Sequence, residues 1–144
     1  AGLVVEGRAF LLVGGEGSGK STWARLGESA GARVLSDDLV LVDGSGAEME
    51  ALGSPFRSTH IADYRPGRWP LAAILVPRHG SPPTLGPVDN LSARARIVAN
   101  LPFIAEAIAD DDRLTSVLSR VIRSVSCSEL TFGLEPSFVE LLSG

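Results

Sequence analysis

A single lysine stands among twelve arginines in this 144-residue chain, and it stands in a run of glycines: Gly14-Gly15-Glu16-Gly17-Ser18-Gly19-Lys20-Ser21-Thr22. Wherever the chain merely needs positive charge it uses Arg, so the one exception calls for a specific reason. The run fits G-x-x-x-x-G-K-[ST], the P-loop spacing, in which each residue type has a physical task. Phosphate oxygens need donors packed around them, and glycines let successive backbone N–H groups turn inward without a Cβ clash. The helix expected to follow aims its unsatisfied N–H groups and positive dipole end at the same anion. Lys20 adds a mobile point charge for the β- and γ-phosphates of a nucleoside triphosphate, and Ser21 offers a hydroxyl to Mg²⁺, which prefers hard oxygen ligands. Glu16 is expected to face solvent. The competing explanation, a glycine-rich surface turn, does not account for an apolar strand before the run and a helical pattern after it.

A second group lies seventeen residues beyond Lys20, at Ser36-Asp37-Asp38. Arg33 to Ser36 reads as a short strand, and a right-handed crossover would lay it beside the glycine-loop strand and parallel to it. The two carboxylates would then sit at the phosphate edge of the sheet. One could hold Mg²⁺ directly or through water, and the other could accept a proton from an attacking hydroxyl. The metal's charge would help keep both neighbours ionised. The plainer alternative is an acidic turn between two strands.

Other candidates carry less. Arg57, Arg65 and Arg68 belong to an irregular stretch where a mobile Arg could neutralise a transferring phosphoryl group, or simply be solvated. His60 shares that stretch and could touch substrate or merely be exposed, and His79 is given no role. Trp23 and Trp69 read as core or interface residues rather than base-stacking platforms. Cys127 reads as a small apolar filler on a strand.

The elements that must hold these residues follow from pattern. Gly2–Val5 and Arg8–Val13 read as strands joined at Glu6-Gly7. A helix runs from Lys20 to about Ala30, with Trp23, Leu26 and Ala30 three and four apart and Gly31 closing it. Leu39–Val42 is expected as a strand, turned at Asp43–Gly46 into a return strand near Glu48–Leu52. Gly53–Gly67 reads as a loop. Leu71–Val76 is a continuous apolar run suited to a strand buried on both faces. Thr84–Val88 is an edge strand, and Leu91–Ile108 a helix that Pro102 must break or kink. A second helix covers Asp110–Val121 with acids at its start. Ser126–Phe132 is a final strand, and a short helix opens at Pro136.

Composition narrows the class. The chain is long enough to bury a core, with 44% hydrophobic residues and a mean hydropathy of +0.21. The reading is one α/β P-loop domain over residues 1–144, a mixed, mostly parallel sheet flanked by helices. No apolar run approaches the roughly 20 residues that span a bilayer. No signal peptide is visible, and a lone cysteine fits a reducing cytoplasm. A net charge of −4 with scattered arginines argues against a nucleic-acid partner. Self-association is left open. The chain opens at Ala1 with no initiator Met, so a fragment is expected, with part of the site upstream.

With those residues in view, the chain resembles the HPr serine kinase/phosphorylase family, and more closely its short bacterial relatives, some of which phosphorylate peptide precursors. The matching text is FLLVGGEGSGKST, GARVLSDDLVLV and LGSPF, with weaker echoes in PLAAILVPR and VSCSELTF. Residues 8–56 match well and the rest matches in the order of its elements. Thr22 stands where the HPr-directed enzymes usually carry Glu. The resemblance implies a fold like the nucleotide domain of phosphoenolpyruvate carboxykinases, with ATP and Mg²⁺ as cofactors. It implies Lys20 on phosphate, Ser21 and Asp38 around Mg²⁺, and Asp37 as base for the seryl hydroxyl of a protein or peptide acceptor. A small-molecule kinase on the same scaffold and a nucleotide-dependent switch or ATPase are the alternatives. The absence of an N-K-x-D motif argues against a GTPase switch. The chain contains no glutamine to orient an attacking water.

Overall fold

The computed structural model describes residues 1–54, 66–101 and 112–144. Along them run β1 (Gly2–Val5), β2 (Arg8–Leu12), α1 (Lys20–Ser29), β3 (Arg33–Ser36), β4 (Leu41–Asp43) and β5 (Glu50–Leu52). Then follow β6 (Arg68–His79), β7 (Thr84–Pro87), α2 (Asn90–Ala99), α3 (Asp112–Ser124), β8 (Ser126–Phe132) and α4 (Phe138–Ser143). Pro102, with the rest of the helix expected to reach Ile108, lies outside the described residues, as do Asp110 and Asp111.

The strands form one open, mixed sheet. Its spine runs β3-β1-β2-β6-β8-β7, and the β4–β5 hairpin pairs with the first residues of β6. Only the β2–β6 and β6–β8 ladders are parallel; the other five among the described residues are antiparallel. The expected mostly parallel sheet is therefore corrected to a partly parallel one. Parallel pairs need long crossovers, whereas tight connections such as Glu6-Gly7, both at positive φ, return the chain antiparallel.

The side chains of β1 and β2 alternate between two cores. Leu3, Val5, Phe10 and Leu12 pack with Trp23 of α1 and Phe138 and Leu142 of α4. Val4, Ala9 and Leu11 pack instead with Ile97 of α2 and Leu118 and Val121 of α3. Helices thus cover both faces, which is why these strands read as unbroken apolar runs. Each Leu buried as fully as Leu3, Leu12 or Leu75 is worth about 1.5–3 kcal/mol of transfer free energy. Trp23 stacks on Phe138 with ring centroids 5.8 Å apart, a core role. Trp69 is half-buried with the Arg33 guanidinium 5.4 Å from its ring.

Two boundaries moved for physical reasons. β6 is twice the expected run, passing through Pro70 and Pro77, residues that normally end a central strand. Leu75 directs its carbonyl to β2, accepting from the Val13 N–H at 2.8 Å. Pro77, two residues on, faces the same side beyond the end of β2, so its missing N–H leaves no ladder bond unmade. β4 begins at Leu41 rather than Leu39, because its partner Leu52 is where β5 ends. Arg120 of α3 donates to the carbonyls of Gly44 and Gly46, fastening the β4–β5 turn to that helix. No helix among the described residues is long and apolar enough to cross a membrane.

Candidate functional site

The glycine-rich loop leaves the C-terminal end of β2, in the middle of the sheet. A Cβ at Gly14 would lie 2.5 Å from Ser18 Oγ and 2.8 Å from Pro77 Cγ, so the first glycine is required by close approach. Gly19 has φ 91°, and a Cβ there would lie 3.1 Å from both His79 and Phe132. A side-chain-bearing residue would be strained by conformation and by space at once. Gly19 then starts α1, its carbonyl accepting from the Trp23 N–H at 2.8 Å.

What α1 lacks is informative. No side chain caps its N-terminus and no acid occupies its first turn. α2 shows the usual remedy, with the Asp89 carboxylate accepting from the Ser92 N–H at 2.9 Å. The first N–H groups and positive dipole end of α1 are left facing the loop's interior, which suits an anion. Lys20 Nζ donates to the carbonyls of Gly14 at 2.6 Å and Gly15 at 2.7 Å, holding the only ammonium side chain at the loop's mouth. Ser18 Oγ is buried without a hydrogen-bond partner, an orphaned polar atom inside the loop. Ser21 and Glu16 are exposed and Thr22 half-buried.

The acidic pair arrives from β3, though not as the sequence suggests. β3 pairs with β1, so β1 lies between it and the loop strand β2. Both neighbours of β1 run antiparallel to it, so β3 still ends at the edge from which the loop emerges. Ser36 is fully buried, and its Oγ accepts from the Asp38 N–H at 3.1 Å, fixing the bend. Asp37 is buried and Asp38 exposed. Ala1 occupies the intervening position, its amine donating to the Leu12 carbonyl at 3.1 Å. Burial, and then the nearby Lys20 charge, lower that amine to about 5, against the opposing pull of Asp37 and Asp38.

One cavity of about 1020 Å³ joins these parts. All the residues from Gly14 to Thr22 line it, together with Asp37 and Asp38. The remaining walls were not anticipated from sequence: Leu39–Val42, and side chains of α2 and α3 including Ile97, Val117 and Leu118. Their apolar spacing predicts a buried helix face, and nothing local distinguishes a face that lines a cavity from one that fills a core.

Arg68 is not in an irregular stretch but on β6, paired with Asp43 and, at 3.0 Å, with Glu50. Those acids raise its pKa, Glu50 most, so it is a cross-strand tie rather than a mobile cation. Arg57, Arg65 and His60 lie outside the described residues. His79 packs beneath Gly19 beside Phe132, outside the cavity. Cys127 is half-buried on β8 with its thiol pushed up by burial, as suits a filler. No cluster of three or more His, Cys, Asp or Glu forms a metal cage among the described residues. No family model, curated protein or solved structure matches the chain.

Proposed function

We propose that the chain is an ATP-dependent serine kinase, an HPr serine kinase-like P-loop enzyme with a phosphoenolpyruvate carboxykinase-like nucleotide domain, acting on a protein or peptide in the cytoplasm. One observation carries the reading. The uncapped N-terminus of α1, wrapped by Gly14–Gly19 and holding Lys20, shares a cavity with Asp37 and Asp38. An anion held in that cradle would be repelled by the two carboxylates unless a cation lay between them, and Mg·ATP supplies both the anion and the cation.

The residues suit that ligand. Mg²⁺ in nucleotide sites keeps waters and takes only one or two protein ligands besides phosphate. The exposed Ser21 hydroxyl and Asp38 carboxylate meet that need without a larger cage. When bound, the ion neutralises charge that develops on the phosphates during transfer. Lys20 exchanges its two loop carbonyls for β- and γ-phosphate oxygens, and the free N–H groups of the loop and α1 take the rest. The acceptor's seryl oxygen attacks the γ-phosphorus as the bond to the bridging oxygen of ADP breaks, and its proton passes to Asp37. The products are ADP and a phosphoserine.

The test is γ-labelled ATP incubated with the protein alone and then with lysate of its own source. Slow release of free phosphate without lysate, and label on serine of a polypeptide with it, is the expected result. Rapid phosphate release with no labelled polypeptide identifies an ATPase instead, and label on a small molecule identifies a small-molecule kinase.

A further inference from the structure

We propose that the acceptor presents a large apolar side chain beside its hydroxyl, and that the apolar lining of the cavity next to the acidic pair receives it. This rests on the kinase reading above and adds the substrate class. The charged side chains that line the cavity, Glu16, Lys20, Asp37 and Asp38, lie on the glycine loop, the start of α1 and the turn after β3. Leu41, Val42, Ile97, Leu101, Val117 and Leu118 also line the cavity, with Asn100 among them as a polar but not titratable residue. Leu41, Val42 and Val117 are 43%, 37% and 44% exposed. Of the seven large hydrophobic residues exposed to that degree among the described residues, these three meet at one cavity, and the others line none of it. Solvent-facing apolar side chains gathered in a concavity mark a binding surface rather than ordinary surface scatter.

The position of this wall selects the occupant. It begins at Leu39, immediately after Asp38, so it adjoins the carboxylates that attend the transferred phosphoryl group. The acceptor must enter from that side of the phosphate chain. The volume of about 1020 Å³ exceeds what a phosphate chain needs, leaving room for a side chain. A charged neighbour placed against these apolar side chains would give up water for little in return, which favours apolar sequences.

The experiment uses the full chain with Mg·ATP and an array of peptides, each with one central serine flanked by Leu, Ile or Phe, or by Asp, Lys or Ser. Apolar flanks are expected to raise kcat/KM by roughly tenfold or more. Val117→Asp and Leu41→Ser, at exposed positions that tolerate polar residues, should erase that preference chiefly through KM while calorimetric affinity for Mg·ATP stays within about twofold. Methyl resonances of Leu41, Val42 and Val117 should shift when the preferred peptide, with its serine replaced by alanine, is added. Equal phosphorylation of polar-flanked peptides overturns the inference. So do methyl shifts produced by ATP but not by inorganic triphosphate, which would assign the pocket to the nucleobase. Methyls unmoved by any peptide overturn it too, since no peptide then reaches this wall. Tight Mg·ATP binding with no peptide phosphorylated and methyls still unmoved overturns the kinase reading and this inference together, whereas phosphorylation without flank preference overturns this inference alone.

Discussion

Lys20 turns its ammonium onto two carbonyls of its own loop, at 2.6 and 2.7 Å. Those bonds are replaceable: in their absence the carbonyls meet water, whereas a bound triphosphate has no other side-chain ammonium to meet. Lys20→Ala should therefore abolish measurable Mg·ATP binding in calorimetry and leave the melting temperature nearly unchanged. Unaltered affinity would remove the phosphate site from this loop. The two acids divide differently. On the kinase reading Asp38, exposed at the cavity wall, serves as the cation ligand, and Asp38→Asn should raise the Mg²⁺ concentration needed for activity. Asp37→Asn should keep nucleotide affinity and slow transfer by about 10²–10⁴. Metal titrations with the reverse pattern would exchange the roles. This scale was the most legible in sequence, because loop spacing and an acidic pair are local. The bond from the Asp38 N–H to Ser36 Oγ was not, since a Ser at a strand end has many uses.

At the scale of elements, α1 sits close to β1 because Gly27 has no side chain. A Cβ at Gly27 would overlap Leu3 Cδ1, and Leu3 is fully buried. Helix propensity alone favours Gly27→Ala by about 1 kcal/mol, but forcing a methyl into a filled core costs about 1–3 kcal/mol. We expect packing to win, lowering the stability by about 1 kcal/mol and the melting temperature by a few degrees. Adding Leu3→Val should recover most of the loss, and a higher melting temperature for Gly27→Ala alone would show that Leu3 has room to move. Local signals foretold α1, including its closure, where Gly31 and Ala32 N–H groups reach the carbonyls of Glu28 and Gly27. They also foretold the β1–β2 hairpin and β8. They misjudged β6, where Pro77 is harmless only because β2 has already ended, and they set β3 beside β2 because nothing in either strand announces that β1 pairs with both. Neighbours in a sheet are chosen by tertiary packing, and period-2 patterning reports only the face.

Across the whole molecule, a sheet covered on both faces sends the ends of four strands running the same way, β2, β3, β6 and β8, to one edge, and β1 enters that edge from the opposite direction. Ala1, just ahead of β1, is thereby buried between the loop strand and the acidic pair, an arrangement no local pattern could reveal. In the 144-residue chain with a free amine at Ala1, this links folding to pH. The amine is lowered from 8.0 to about 5 in the folded protein, so between those values the unfolded chain binds the extra proton. Stability must then rise with pH from about 5 to 8, be unaffected by this group above 8, and carry the full penalty of a buried ammonium below 5. Three pKa units correspond to about 4 kcal/mol across that window. Asp43 and Asp89 are held below the ordinary carboxylate value by hydrogen bonds to Ser45 and Ser92, so their contributions are lost only as pH falls beneath it. Urea unfolding of the metal-free protein, compared with the same chain acetylated at Ala1 or extended upstream by a residue, isolates the amine. The difference in unfolding free energy between the two should grow as pH falls from 8 to 5. A constant difference would mean that the amine keeps its ordinary value in the fold, with Asp37 and Asp38 offsetting burial.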